Sequence, residues 1–152
     1  MKTLGAKDEK NPNDCIAVLI PSYDRTDILK TTLLGWLKAK GVDKVFVVAE
    51  ASSRTILERY EEVIQKYKES GKIVYKLVLK RLGSIRARNI SLNMVANQGY
   101  KYIVIVDDDY FLPNKNCLDA MARDFELDDE IGAVGGKVIV SRRRMDPDFF
   151  LN

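Results

Sequence analysis

Apolar and polar positions along this chain follow two rhythms in turn. Cys15-Ile16-Ala17-Val18-Leu19-Ile20 is an unbroken apolar run that stops at Pro21, which predicts a strand buried on both faces. Over residues 27–40 the pattern changes. Ile28, Leu29, Thr32, Leu33, Trp36 and Leu37 recur at helical spacing, and Gly41 supplies a stop. Residues 44–49 (KVFVVA) predict a second strand. Residues 53–70 predict a second amphipathic helix, with Ile56, Leu57, Tyr60, Val63, Ile64 and Tyr67 on one face and Gly71 at its end. A third strand is expected over 73–79. Ser84 is the expected N-cap of a third helix reaching about residue 98, with Gly99 after it. Residues 102–106 (YIVIV) are the most β-prone run, residues 116–125 look helical, and residues 133–140 (AVGGKVIV) predict a fifth strand weakened by its glycines.

Strands alternating with helices of this length imply βαβ units. The expected fold class is α/β, a three-layer α/β/α sandwich around a mainly parallel sheet. Ligands of such sheets bind beyond the carboxyl ends of the strands. The residues that follow the predicted strands are therefore the first place to look for chemistry. They are Pro21-Ser22-Tyr23-Asp24-Arg25, Glu50-Ala51-Ser52-Ser53, Lys80-Arg81-Leu82-Gly83-Ser84 and Asp107-Asp108-Asp109.

The last of these stands out. Three adjacent carboxylates repel one another, and aspartate is a poor strand former. A divalent cation would relieve the repulsion. If the chain stays extended, Asp107 and Asp109 face one side and Asp108 the other, so Asp107 and Asp109 are the candidate metal ligands. Hard oxygen donors suit Mn²⁺ or Mg²⁺, which bind one or two carboxylates together with substrate phosphates. The plain alternative is a solvated acidic turn.

Composition narrows the chemistry. With 152 residues, 46% apolar and 31% charged, the chain is long enough for one domain with a real core. Residues 1–13 read as a flexible polar leader and 14–152 as a single domain. There is no histidine, which excludes His-based acid–base chemistry and His-ligated zinc within this chain. Cys15 and Cys117 lack metal-ligand spacing and read as reduced thiols, which goes with a cytoplasmic location. No apolar run approaches the roughly 20 residues of a membrane span. The net charge of +3 is too mild for a nucleic-acid binder, and the one basic cluster is Arg142-Arg143-Arg144.

With those residues in view, the chain resembles the family 2 glycosyltransferases and the wider GT-A fold. AVLIPSYDR resembles the family's first strand and its Pro-Ser/Thr-Tyr-Asn/Asp-Arg exit. KVFVVAEASS stands in the place of the second strand, GSIRARNISLNMV resembles the helix with the Ala-Arg-Asn segment, and YIVIVDDDYFLP the strand ending in Asp-x-Asp. The four segments come in family order across residues 17–113. The resemblance implies a nucleotide-binding set of Pro21, Ser22, Tyr23, Glu50, Ser84, Arg88, Asp107 and Asp108. In it Ser22 and Tyr23 line the base pocket, Glu50 touches base or ribose, and Arg88 lies near base and phosphates. It implies a UDP- or GDP-sugar as donor and a metal-dependent, inverting, hexosyltransferase-like activity. It leaves the acceptor unnamed and a homo-oligomer open.

Two departures accompany the resemblance. Ala49-Glu50-Ala51 replaces the usual Asp-Asp-Gly. The downstream Glu-Asp and Gln-x-x-Arg-Trp patterns are missing, which leaves open a chain truncated at its acceptor-binding end, a minimal enzyme or half of a complex, and Asp146 and Asp148 are the base candidates within this chain. A non-catalytic or partner-dependent nucleotide-binding module of the same fold is the main alternative. A sugar-phosphate nucleotidyltransferase ranks lower, because the loop after the first strand has no glycine. Receiver and phosphatase-like folds fit poorly, since both place an acid at the end of the first strand.

Overall fold

The computed structural model describes residues 16–136. Among these residues four strands and four α-helices alternate: β1 (Ile16–Tyr23), α1 (Thr26–Lys38), β2 (Val42–Glu50), α2 (Arg54–Tyr67), β3 (Ile73–Val78), α3 (Ser84–Val95), β4 (Tyr102–Ile105) and α4 (Cys117–Asp124). All strand pairs are parallel, in the order β3-β2-β1-β4. The α/β sandwich expected from the alternation is the observed architecture.

The two central strands carry the continuous apolar runs, as burial on both faces demands. On one face Val18 and Ile20 of β1 and Val45 and Val47 of β2 meet Leu29, Leu33 and Trp36 of α1 and Leu57, Tyr60 and Val63 of α2. On the other face Ala17, Leu19 and Phe46 meet Val95 of α3. Leu29 and Leu33 are fully buried, and each contributes about 2 kcal/mol through the apolar surface it removes from water. The outer strands are covered less well. In β4, Ile103 and Ile105 remain 45% and 49% exposed beside buried Ala17 and Leu19, because α3 packs on β1 and β2.

Several boundaries differ from expectation. β1 does not stop at Pro21 but runs through it to Tyr23. The Leu19 carbonyl accepts from Val106 on the β4 side, and strand residues two apart face the same neighbour. The missing N–H of Pro21 therefore falls on the side where pairing with β4 has ended at Leu19↔Ile105. α1 ends at Lys38, and Gly41, at φ 80°, serves the turn into β2. Ser84 is not the N-cap of α3. Gly83 holds that position at φ 89°, a conformation that favours glycine, and Ser84 is the first helical residue. α3 stops at Val95, before the left-handed Asn97 and Gly99. Residues 133–136 form no strand, and 137–140 lie outside the described residues, as do Cys15, Arg142, Arg143, Arg144, Asp146, Asp148 and the leader. Among the described residues no helix is long and apolar enough to cross a membrane.

Candidate functional site

The acidic triplet sits just past β4, where the backbone leaves the sheet. It forms a turn rather than an extended segment, closed by Tyr110 N–H donating to the Asp107 carbonyl at 3.3 Å. The turn gives the three carboxylates different surroundings. Asp108 points inward and is 3% exposed. One oxygen accepts the Ser22 hydroxyl at 2.6 Å, and the other accepts Arg25 Nη1 at 3.0 Å. Its carbonyl accepts Thr32 Oγ1 from α1 at 2.9 Å. Ser22 also shares a 2.8 Å hydrogen bond with the Tyr60 hydroxyl of α2, which accepts the Arg25 backbone N–H at 2.9 Å. A buried carboxylate is tolerated only when paired and hydrogen-bonded, and this network does both. Its marks are visible in the partners. The hydrogen bond to Asp108, followed by the Asp108 charge, raises Arg25 above its ordinary value, and burial pushes the Tyr60 phenol up.

Asp107 and Asp109 flank this anchor and stay half-exposed. Arg25 Nη1 reaches Asp109 as well, at 3.1 Å. From α3, Arg88 Nη2 donates to Asp107 at 2.5 Å. Arg88 Nε is buried without a hydrogen-bond partner among the described residues, so this guanidinium retains donor capacity. No group of three or more acidic, cysteine or histidine side chains gathers into a cation cage among the described residues. Two half-exposed carboxylates on one turn do match the donor set of a cation completed by phosphate oxygens and water.

A second cluster occupies the β1–β2–β3 side of the same edge. Asp24 adopts a left-handed backbone, φ 53°, and its Oδ1 accepts the Ser52 N–H at 2.8 Å. Burial pushes its carboxyl upward, but hydrogen bonds from Ser52 and Tyr23 and the nearby Arg81 charge bring it below its ordinary value of 3.8. Glu50 is 2% exposed. Its Oε2 accepts the Leu82 N–H and, at 3.0 Å, the Gly83 N–H. Arg81, in the same loop, lies over the Tyr23 ring, 4.9 Å from its centroid. The exits of β1, β2 and β3 are thereby tied into one surface.

The fold brings Pro21, Ser22, Tyr23, Glu50, Arg88, Asp107, Asp108 and Asp109 to one end of the sheet, and Ser84 begins α3 at the same end. Within it Tyr23, Arg88, Asp107 and Asp109 present accessible groups, whereas the polar groups of Ser22 and Asp108 bond within the chain. Pattern reading gave no role to Arg25, Thr32, Tyr60 or Arg81. Tyr60 reads as one more apolar residue of α2, and only its place opposite the β1 exit reveals the use of its hydroxyl. Arg25 and Arg81 stand in segments that follow strands, which was the one available signal.

A family model described as glycosyltransferase-like family 2 matches residues 12–148. Among solved structures the chain is similar to TarS of S. aureus, with 20% identity, a TM-score of 0.58 and 74% of this chain covered. It is similar also to TarS 1-349 in complex with UDP-GlcNAc (18% identity, TM-score 0.59, 83% covered) and to TarS 1-349 in complex with UDP (18%, 0.58, 83%). The chain spans only 19% of the first of these structures and 37% and 38% of the other two. No curated protein matches it.

Proposed function

Because the chain belongs to the glycosyltransferase-like family 2, we propose that its sheet edge binds a nucleoside diphosphate sugar, with a UDP-sugar as the first candidate, and supplies the donor side of a sugar transfer. The observation that carries the reading is the pairing of half-exposed Asp107 and Asp109 with half-exposed Arg88 and Arg25 beside Tyr23. UDP and UDP-GlcNAc bound to the similar TarS structures support the choice of nucleotide.

In this reading Tyr23 takes the base against its ring, as aromatic faces do. Arg88 offers its remaining donors to the diphosphate, since a guanidinium fork matches phosphate oxygens. Asp108 holds the turn from beneath, and Asp107 and Asp109 hold Mn²⁺ or Mg²⁺. A bound cation there would supply positive charge to the departing diphosphate. As the bond from the anomeric carbon to the diphosphate breaks, its electron pair goes to the phosphate oxygen, and in this reading Arg88 and Arg25 stabilise that charge. We read the transfer as inverting and hexosyltransferase-like, with the acceptor hydroxyl losing its proton to a base that is not assigned. A cytoplasmic location belongs to the same reading.

Calorimetric titration with UDP, GDP and UDP-GlcNAc, in Mn²⁺ and again in EDTA, tests the proposal. Mn²⁺-dependent binding of a uridine nucleotide is expected, and Asp109→Ala abolishes it. Failure of every nucleotide to bind in both conditions refutes the reading. The span of under two fifths of the TarS structures favours a second reading, a nucleotide-binding module that needs a partner for transfer. Release of sugar from UDP-GlcNAc by this chain alone separates the two.

A further inference from the structure

Glu50 presents a problem that its surroundings solve. A carboxylate 2% exposed needs compensation, and here it comes from two backbone amides of the loop between β3 and α3. That loop also holds Gly83 at φ 89° and carries Arg81. The Asp24 carboxylate also attracts the Arg81 charge, while the Glu50 bonds act on the backbone that carries it. The guanidinium is on the surface, 4.9 Å from the ring centroid, and holding the backbone that carries it lowers the entropy cost of keeping that contact.

We propose that Glu50 is a positioning residue that acts through the loop. It fixes the Leu82 and Gly83 amides so that Arg81 is carried to the face of Tyr23, and Tyr23 with Arg81 then forms a cationic, aromatic cradle for the planar base of a nucleotide. This rests on the reading of the sheet edge as a nucleotide site. It differs from direct contact between Glu50 and the ligand, because Oε2 of this 2% exposed carboxylate is spent on the two loop amides, and the double-mutant cycle below separates the two roles. The cradle has a use for both members. The ring offers a π face, and the guanidinium offers a second flat, positively charged surface that attracts an anionic nucleotide.

Two measurements test it. The first needs no ligand. Amide hydrogen exchange at Leu82 and Gly83 should be slow in the native chain and accelerate at least about tenfold in Glu50→Ala, and less in Glu50→Gln, while the Val18 and Val47 amides stay protected. Unchanged exchange at Leu82 and Gly83 overturns the proposal. The second is a double-mutant cycle on UDP affinity. Arg81→Met should weaken binding about fivefold to tenfold. Adding Glu50→Gln to Arg81→Met should weaken it little further, because the two residues act in series. Additive losses overturn the proposal in favour of direct contact by Glu50. Absence of UDP binding by the native chain refutes the nucleotide site itself and the cradle with it, while the exchange experiment still decides the role of Glu50 in the loop.

Discussion

Asp108 and Asp109 are neighbours in sequence with opposite physical situations, and substitution should separate them. Asp108→Ala leaves the Arg25 charge and the Ser22 hydroxyl without their buried partner. Removing a buried acceptor in this way should lower stability by about 2 kcal/mol, measured by urea denaturation. Asp109→Ala removes one exposed ion pair and should change stability by less than about 1 kcal/mol in the same assay. A similar destabilisation by both would contradict the division of labour between anchor and ligand. Tyr60→Phe should cost about 1 kcal/mol through the hydroxyl that serves Ser22 and the Arg25 amide. The sequence showed that the triplet was chemically unusual. It did not show which acid turns inward, because strand alternation does not hold once the chain leaves β4 and turns. Nor could it show that Ser22 and Tyr60 complete the anchor, since those contacts join residues far apart in the chain.

At the level of elements the pattern was far more legible. Continuous apolar runs marked the buried central strands, and helical spacing marked α1 and α2, because burial is what those patterns encode. The boundaries were harder. Pro21 reads as a terminator only if it has a neighbour to refuse, and β4 ends before that becomes necessary. Ser84 reads as a cap from its type, but the backbone at the turn demands a left-handed residue, and Gly83 supplies it. Gly83→Ala should therefore destabilise the chain by about 1–3 kcal/mol through strain, although the space around its Cβ is open. α2 has a conventional start. The Ser53 side chain accepts the Ile56 N–H at 3.3 Å, and Ser53→Ala should lower the midpoint of thermal unfolding by the equivalent of about 1 kcal/mol. No change in that midpoint would show that the cap contributes nothing to stability.

Across the whole molecule, Asp24 links the β1 exit to the β2 exit, and its carboxyl is held below its ordinary value of 3.8. A depressed value in the folded state means stability that is fully present above the unfolded value. That contribution disappears as pH falls below 3.8 through the folded value. Asp24→Asn should flatten the acid limb of the stability curve in that window and leave its shape near neutrality unchanged. An acid limb identical in both chains would show that the Ser52 contact carries no such linkage. The placement of β1 has a different consequence, one of timing. Its partner strand β4 and its anchor Asp108 lie far downstream, so the bond from Ser22 to Asp108 joins positions 86 residues apart. Closing so long a loop is entropically unfavourable and slow, and shorter-range contacts such as β1 with β2 form before it. The acidic turn is therefore among the last features to assemble when the chain refolds. Whatever binds there recognises only molecules that have finished folding, and ligand capture after dilution from denaturant should lag behind the recovery of helical signal.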